Sequence, residues 1–216
     1  MKVWSRETFR LLWSSVGHHA SVNALDISPD SSRIVSASSD RTLASLALWE
    51  ISSEGLSQIR TFTGHKRGVA CVRFLPLSDQ ARIPRSSQSQ STSEELFASG
   101  SLDKSIRIWR ANTGECIRTL EGHTDLVRGL VYDASAGLLI SGSHDNTIVF
   151  WQLRLVDYLF ADSVQSHDPG SDEKLRVFKR YRNRIFGLGI SGHRIIWCAF
   201  RDISRWLSTI LMILNE

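Results

Sequence analysis

SGSLDKSIRIW (residues 99–109) and SGSHDNTIVFW (residues 141–151) are two versions of one phrase: a serine, an aspartate four positions later and a tryptophan six positions after that. Each pairs a short apolar run with a turn, LDKS or HDNT, and closes on a second apolar run, the pattern of two antiparallel strands joined tightly. Working outward, a Gly-His pair precedes the phrase. His123 stands 22 residues before Asp145, and His18 stands 22 residues before Asp40. Tryptophan stands 14 residues before histidine at Trp4–His18 and again at Trp109–His123. A unit of about 42 residues therefore repeats along the chain.

The other copies depart by countable insertions. His65 and Asp103 are 38 residues apart, and the excess falls in the polar segment 77–95, LSDQARIPRSSQSQSTSEE, which reads as a loop. Asp40 and Trp49 are nine apart, so three residues in TLASLALWE (42–50) are expected to enter a strand and produce a bulge or register change. A second insertion covers 155–174. A fourth copy is decayed: aligning LRVFKRYRNRIFGLGI (175–190) on IRTLEGHTDLVRGLVY (117–132) puts Tyr181 in the place of His123, Cys198 in that of Ser141 and Asp202 in that of Asp145, with Trp206 too close behind. The Gly192-His193 pair is a decoy, opposite the SPDSSR turn (28–33) of a good unit. The resulting division is 1–16, the end of one unit; 17–63; 64–121; 122–180; 181–207, degenerate; and 208–216, an irregular apolar tail.

Within the units every signal is β: VNALDIS, RIVSAS, LFASGS, SIRIW, LLISGS and TIVFW are short Val/Ile/Leu-rich runs between Ser, Gly, Asp and Pro turns. No segment before residue 200 has helical periodicity. Gly-His, Ser-x-x-x-Asp and Trp at this spacing resemble the WD-repeat family of β-propellers, closely over residues 1–153 and loosely over 175–207. The resemblance implies an all-β fold of radial four-stranded blades that serves as a scaffold for protein contacts. The chain is expected to form an incomplete propeller of four to five blades or part-blades. Trp4 would belong to a blade whose first two strands lie before Met1, TFRLLW (8–13) would be its outer strand, and the array would be an open arc prone to associate. Closure of a small ring by that strand is the alternative.

Donor and acceptor chemistry gives the motif its logic. Indole N–H only donates, so tryptophan would donate to serine, serine to one histidine nitrogen, and the other histidine nitrogen to aspartate. The sets are His18, Ser36, Asp40 and Trp49; His65, Ser99, Asp103 and Trp109; and His123, Ser141, Asp145 and Trp151. Ser, His and Asp also spell a hydrolytic triad. Three occurrences in one chain, a serine already bonded by tryptophan, and the lack of a glycine-rich nucleophile elbow favour a structural network.

Cys71, Cys116 and Cys198 lie far apart, with no C-x-x-C spacing, so neither a zinc site nor a disulfide framework is expected. No cofactor, membrane or small-molecule substrate is implied. The longest apolar run, LSTILMIL (207–214), is too short to span a bilayer as a helix, and a cytoplasmic or nuclear location is expected. Protein partners should meet the face of the Gly-His loops and Asp turns, through Lys66, Arg67, Thr124, Asp125, Arg41, Lys104 and His144, all expected to be exposed. ECIRTLEGHTDLVRGLVYD (115–133) and RVFKRYRNRIFGLGISGHRII (176–196) are similar to the propellers of F-box/WD ubiquitin-ligase receptors, which implies a substrate-receptor or adaptor subunit. The net charge of +4 and the five basic residues of 176–184 favour an RNA-associated scaffold instead, although Lys and Arg also guard strand edges. The serine-rich loop SSQSQSTSEE (86–95) reads as a flexible segment or a phosphorylation site.

Overall fold

The structure, a computed structural model, describes residues 1–40, 46–76, 95–153, 174–179, 185–191, 194–199 and 212–213. All regular elements among these residues are strands. Strands β1 (Lys2–Trp4) and β2 (Leu11–Ser14) form a hairpin. Three four-stranded antiparallel sheets follow, each in simple sequence order. They are β3 (Val22–Ile27), β4 (Arg33–Ser38), β5 (Leu46–Ser52) and β6 (Gly55–Phe62); β7 (Val69–Phe74), β8 (Leu96–Ser101), β9 (Ile106–Arg110) and β10 (Cys116–Leu120); and β11 (Val127–Asp133), β12 (Leu138–Ser143), β13 (Thr147–Gln152) and β14 (Lys174–Lys179). A three-stranded sheet of β15 (Ile185–Ser191), β16 (Arg194–Ala199) and β17 (Met212–Ile213) ends the series. This is the all-β architecture of an incomplete propeller.

Sheets stack because each presents two apolar flanks. Val69, Val72 and Phe74 of β7 pack against Val35, Ala37, Leu46, Leu48 and Phe62 of the preceding sheet. Val127, Leu130 and Tyr132 of β11 pack in the same way on Ala98, Ile106, Ile108 and Leu120. Ile185 and Leu188 of β15 complete the series on Ile140 and Ile148. Polar ties reinforce the first junction: Asn23 donates to the Val69 carbonyl at 2.7 Å, the Phe74 amide donates to Asp26 at 2.7 Å, and Arg33 bonds Glu95 at 3.1 Å and Asn112 at 2.8 Å.

A register shift recurs at one place in all four innermost strands: between Val22 and Ala24, Val69 and Cys71, Val127 and Gly129, and Ile185 and Gly187. The extra residue re-aims the strand start where the loops meet the sheet. No residue type marks it in the sequence, since Ala24, Cys71, Gly129 and Gly187 follow it. In TLASLALWE a register shift falls between Leu48 and Trp49 where β5 pairs with β6, while β4 and β5 pair without a shift from Arg33↔Glu50 to Ala37↔Leu46. With Ala37 paired to Leu46, the added length lies before Leu46, where residues 41–45 are outside the described residues. In the last sheet Leu188 pairs with Trp197, as Leu130 pairs with Ser141, so Trp197 and not Cys198 holds the serine position. The hairpin there is two residues tighter than its sibling, a difference that a composition-led alignment cannot register.

The insertions at 77–94 and 154–173, the serine-rich loop up to Glu94, Tyr181, the Gly192-His193 pair, Asp202, Trp206 and the apolar tail other than Met212–Ile213 lie outside the described residues.

Gly100 marks how closely the sheets approach. A Cβ there would lie 2.6 Å from Cys71 Sγ and 2.7 Å from Val127 Cγ1, both in the buried core, whereas a Cβ on Gly187 meets nothing within 4 Å. We expect Gly100→Ala to destabilise by about 1–3 kcal/mol through overpacking, and Gly187→Ala to change stability by less than about 1 kcal/mol. Denaturant titration of both variants checks the pair.

Candidate functional site: the loop face and its hydrogen-bond relays

Each full sheet carries one relay. Trp49, Trp109 and Trp151 donate Nε1–H to Ser36, Ser99 and Ser141 at 2.8, 2.7 and 2.8 Å. Each serine lies 2.7 Å from the Nε2 of His18, His65 or His123. The Nδ1 of His65 and His123 reaches Asp103 and Asp145 at 2.9 and 2.8 Å. An ionised carboxylate only accepts, so Nδ1 carries the proton, Nε2 accepts, and the serine hydroxyl donates to it. The direction of every bond is thereby set.

The aspartates do more than end the chain of bonds. Asp103 accepts from the Lys66 amide at 2.8 Å, the Ser105 amide at 3.0 Å and the Ser105 hydroxyl at 2.6 Å. Asp145 accepts likewise from the Thr124 amide at 2.9 Å and from the amide and hydroxyl of Thr147. Burial pushes both carboxyls up, but the hydrogen bonds from histidine, hydroxyl and amide outweigh it and hold them well below the usual carboxylate range. One carboxylate thus clamps the Gly-His loop to the turn between the second and third strands. The glycine of Gly-His serves the same loop, because Gly64 and Gly122 sit at φ +146° and +148°, a region that side chains strongly disfavour.

A second clamp escaped the sequence reading. Ser38, Ser101 and Ser143, two positions after the relay serines, are buried. Each hydroxyl donates to a loop carbonyl, that of Ser21, Gly68 or Leu126, at 3.1, 2.9 and 2.9 Å. Each also accepts the amide of the following aspartate, at 3.2 Å for Asp40 and 3.1 Å for Asp103 and Asp145. The signal was visible as the second serine of SAS, SGS and SGS.

The first relay is looser. His18 Nδ1 lies 3.5 Å from Asp40, and this buried nitrogen has no hydrogen-bond partner. Burial lowers its pKa, and the Asp40 charge offsets that only in part.

Around these clamps Lys66, Arg67, Lys104 and Thr124 are exposed. Asp125 and His144, expected to be exposed, are half-buried. Their backbones are drawn into the clamp: the Asp125 carbonyl accepts from Ser143 at 3.0 Å, and the His144 amide donates to Leu126 at 3.0 Å. Arg41 lies outside the described residues. Lys104 follows its aspartate at φ +75°, in the left-handed region that points its side chain off the sheet end. The relay serines are at most 1% exposed and already bonded on both sides, so the arrangement can hold loops but offers no serine oxygen to a substrate. Among the described residues no three His, Cys, Asp or Glu side chains are placed to hold a metal ion.

We expect His123→Ala to cost about 1–3 kcal/mol, because Ser141 and Asp145 would be left buried without their partner. Thermal melts read this, and unchanged melting contradicts a buried relay. The pH dependence should fall in two windows. His18 has its folded pKa lowered, so the folded state takes up the proton less readily. Stability present above about pH 6.5 is lost as pH falls below that unfolded value. Asp103 and Asp145 are also depressed, and their contribution is kept until pH falls below about 4. His18→Gln should therefore flatten the upper window and leave the lower one, as read by denaturant melts between pH 3 and 8.

The chain matches the family profile described as "WD domain, G-beta repeat" over residues 9–44, 56–110 and 114–152. It is 37% identical over 168 residues to "Nuclear distribution protein PAC1" of Arthroderma benhamiae, covering 78% of this chain and 34% of that protein, with the same figures for the protein of that name in Trichophyton verrucosum. It is 35% identical over 136 residues to "Nuclear distribution protein nudF" of Aspergillus terreus, covering 60% of this chain and 29% of that one. The chain thus spans about a third of the length of these curated relatives. Among solved structures, "Structure of U3-55K" superposes with a TM-score of 0.62 and 22% identity, over 86% of this chain and 48% of the other. With three relays on three successive sheets and this profile match, the chain belongs to the WD-repeat family.

Proposed function

We propose that the chain is a non-catalytic scaffold for protein–protein contact, and that the face of the Gly-His loops and aspartate turns meets the partner. The observation that carries this is the repeated clamp: aspartate, histidine and two serines fix the loops of each sheet from beneath and leave Lys66, Arg67, Lys104 and Thr124 exposed above. Loops held rigidly on a packed scaffold bind without a large ordering cost. Lys66, Arg67 and Lys104 make this part of the face basic, which suits an acidic segment on the partner. The unit boundaries 17–63, 64–121 and 122–180, and a cytoplasmic or nuclear location, belong to the same reading.

The narrower assignment to a ubiquitin-ligase substrate receptor is supported by the resemblance of residues 115–133 and 176–196 to F-box/WD propellers. The nuclear distribution proteins among the relatives suit a general adaptor equally well. An RNA-associated role is favoured by the basic run 176–184, of which 180–184 lies outside the described residues. A salt titration separates the two: RNA binding gives a clearly negative slope of log affinity against log salt.

The test is charge reversal on the face. Lys66→Glu combined with Lys104→Glu should weaken capture of the native partner at least tenfold by quantitative interaction mass spectrometry, with an unchanged melting temperature. Glu54→Lys, in the exposed turn between β5 and β6, should leave capture as it is. Equal loss in both variants contradicts this placement of the interface.

A further inference from the structure

Each innermost strand leaves one residue outside its ladder where the register shifts. Asn23 falls between the pairs Val22↔Ser38 and Ala24↔Ala37, Ala70 between Val69↔Ser101 and Cys71↔Gly100, Arg128 between Val127↔Ser143 and Gly129↔Gly142, and Phe186 between Ile185↔Ala199 and Gly187↔Cys198. A bulge takes such a residue out of the strand's alternation and re-aims its side chain. Each is the second residue of its strand, at the sheet end where the loops enter.

Asn23, Ala70 and Arg128 use this freedom differently. Asn23 spends both Nδ2 hydrogens, on Ser39 Oγ and on the Val69 carbonyl, each at 2.7 Å. Ala70 has only a methyl group, which is 3% exposed. Arg128 reaches back across the junction and donates from Nη1 to the Ala70 carbonyl at 3.5 Å, longer than an ordinary bond of this kind. It is half-buried, and among the described residues no carboxylate is paired with it. Asp125, three residues earlier, has its Oδ1 on the Leu126 amide at 2.7 Å. A guanidinium carries five N–H donors, so most of the hydrogen-bonding capacity of Arg128 is unspent.

Lys66, Arg67 and Lys104 stand at the same sheet end. The Leu102 amide and the Ser101 hydroxyl both bond the Gly68 carbonyl, at 3.0 and 2.9 Å, which ties the loop of Lys66 and Arg67 to the turn of Lys104. Ala70, which Arg128 touches, follows Gly68 by two residues. None of these three cations is ion-paired among the described residues. Segments 41–45 and 180–184, which adjoin β5 and β15 in sequence, contain four arginines and no Asp or Glu.

We propose that Arg128 determines specificity at this face: it takes one Asp or Glu carboxylate of an acidic protein segment in a two-point hydrogen bond, while Lys66, Arg67 and Lys104 attract the rest of that segment from outside. This rests on the scaffold reading of the loop face and adds the residue at its inner end and the group that it binds. A planar guanidinium matches a carboxylate with two parallel N–H···O bonds, which a lysine cannot do. A half-buried charge is also less screened than an exposed one, so the same contact counts for more at Arg128 than at the outer lysines. Exposed charges act chiefly on the rate of encounter, whereas a recessed, hydrogen-bonded one acts on the rate of escape.

The probe is a fluorescein-labelled Gly-Ser peptide carrying a run of three glutamates, with the glutamine version as control, followed by anisotropy and stopped flow. The unaltered chain should bind the glutamate peptide more tightly than the control. Arg128→Lys keeps the charge but loses the fork, and should weaken binding about five- to tenfold, mostly through faster dissociation, with an unchanged melting temperature. Arg128→Gln should weaken it at least as much. Lys66→Glu with Lys104→Glu should mainly slow association. Arg128 variants that bind as the parent does, while the lysine pair weakens binding, would overturn the role of Arg128 and leave the face reading standing. Loss confined to the Arg128 variants would uphold that role and overturn the outer contacts of the face reading. Equal affinity for the two peptides, or tighter binding of an oligouridine than of the glutamate peptide, would overturn the carboxylate assignment. Should Arg128→Gln fail to fold, Arg128→Lys decides.

Discussion

An indole N–H can only give a proton, and a carboxylate can only take one. Between Trp109 and Asp103 stand Ser99 and His65, each of which does both, so the four groups have one mutually satisfied arrangement. Buried as they are, any other arrangement would leave an unpaired polar atom at a cost of about 1–3 kcal/mol. The relay is therefore a geometric specification. It fixes how far the histidine loop sits from the sheet, and through the aspartate it fixes the turn on the far side. His18 shows the tolerance of the device: with its Nδ1 at 3.5 Å from Asp40 the first relay keeps its serine and tryptophan bonds, and its loop is tied to Asp40 through the His19 amide at 3.0 Å.

Relays hold a sheet's loops, but not the sheets to one another. That depends on flanks whose side chains alternate in bulk. Small residues such as Ala37, Gly100 and Gly142 admit β-branched or larger side chains from the next sheet, and Gly100 and Gly142 would bring an added Cβ to within 2.7 Å of Val127 and Ile185. A four-stranded sheet alone would leave half of its apolar side chains in water. At about 25 cal/mol per Å² of apolar area, covering one flank outweighs any single hydrogen bond in the relay. Val22, Leu25 and Ile27, about half exposed, display such a flank without that cover.

The repeat, the strand content and the relay partners were legible because each depends on chemistry that few residue types can supply at set spacing. Two of the Gly-His pairs place glycine at φ +146° and +148°, at Gly64 and Gly122, and the tryptophan is the donor that starts each relay. What remained illegible has equally physical causes. The recurring register shift after Val22, Val69, Val127 and Ile185 needs no special residue, since Ala24, Cys71, Gly129 and Gly187 all accept it. Counting alone could not say which edge of β5 would carry a register change; pairing shows it on the β6 side, between Leu48 and Trp49, and not on the β4 side. In the last unit Trp197 takes the serine position because the hairpin is shorter, which shifts register without altering the apolar pattern. Asp125 and His144 are polar and lie in turns, yet their backbones are bonded into the Ser143 clamp, and their exposure follows the backbone.

The same clamp explains why composition says little about a partner. Residues that set loop position, Asp103, Ser101, Ser105 and His65 in the second full sheet, face inward and are bonded to one another. Residues next to them in sequence, Lys66, Arg67 and Lys104, face outward and carry none of that bonding through their side chains. A substitution at an outward position leaves the relay intact, so the fold imposes no choice there and any partner can impose its own. On the proposed scaffold reading, recognition would be written in the positions that the repeat pattern leaves free. Lys66, Arg67 and Lys104, exposed and all basic, are the positions at which that reading expects a partner to act.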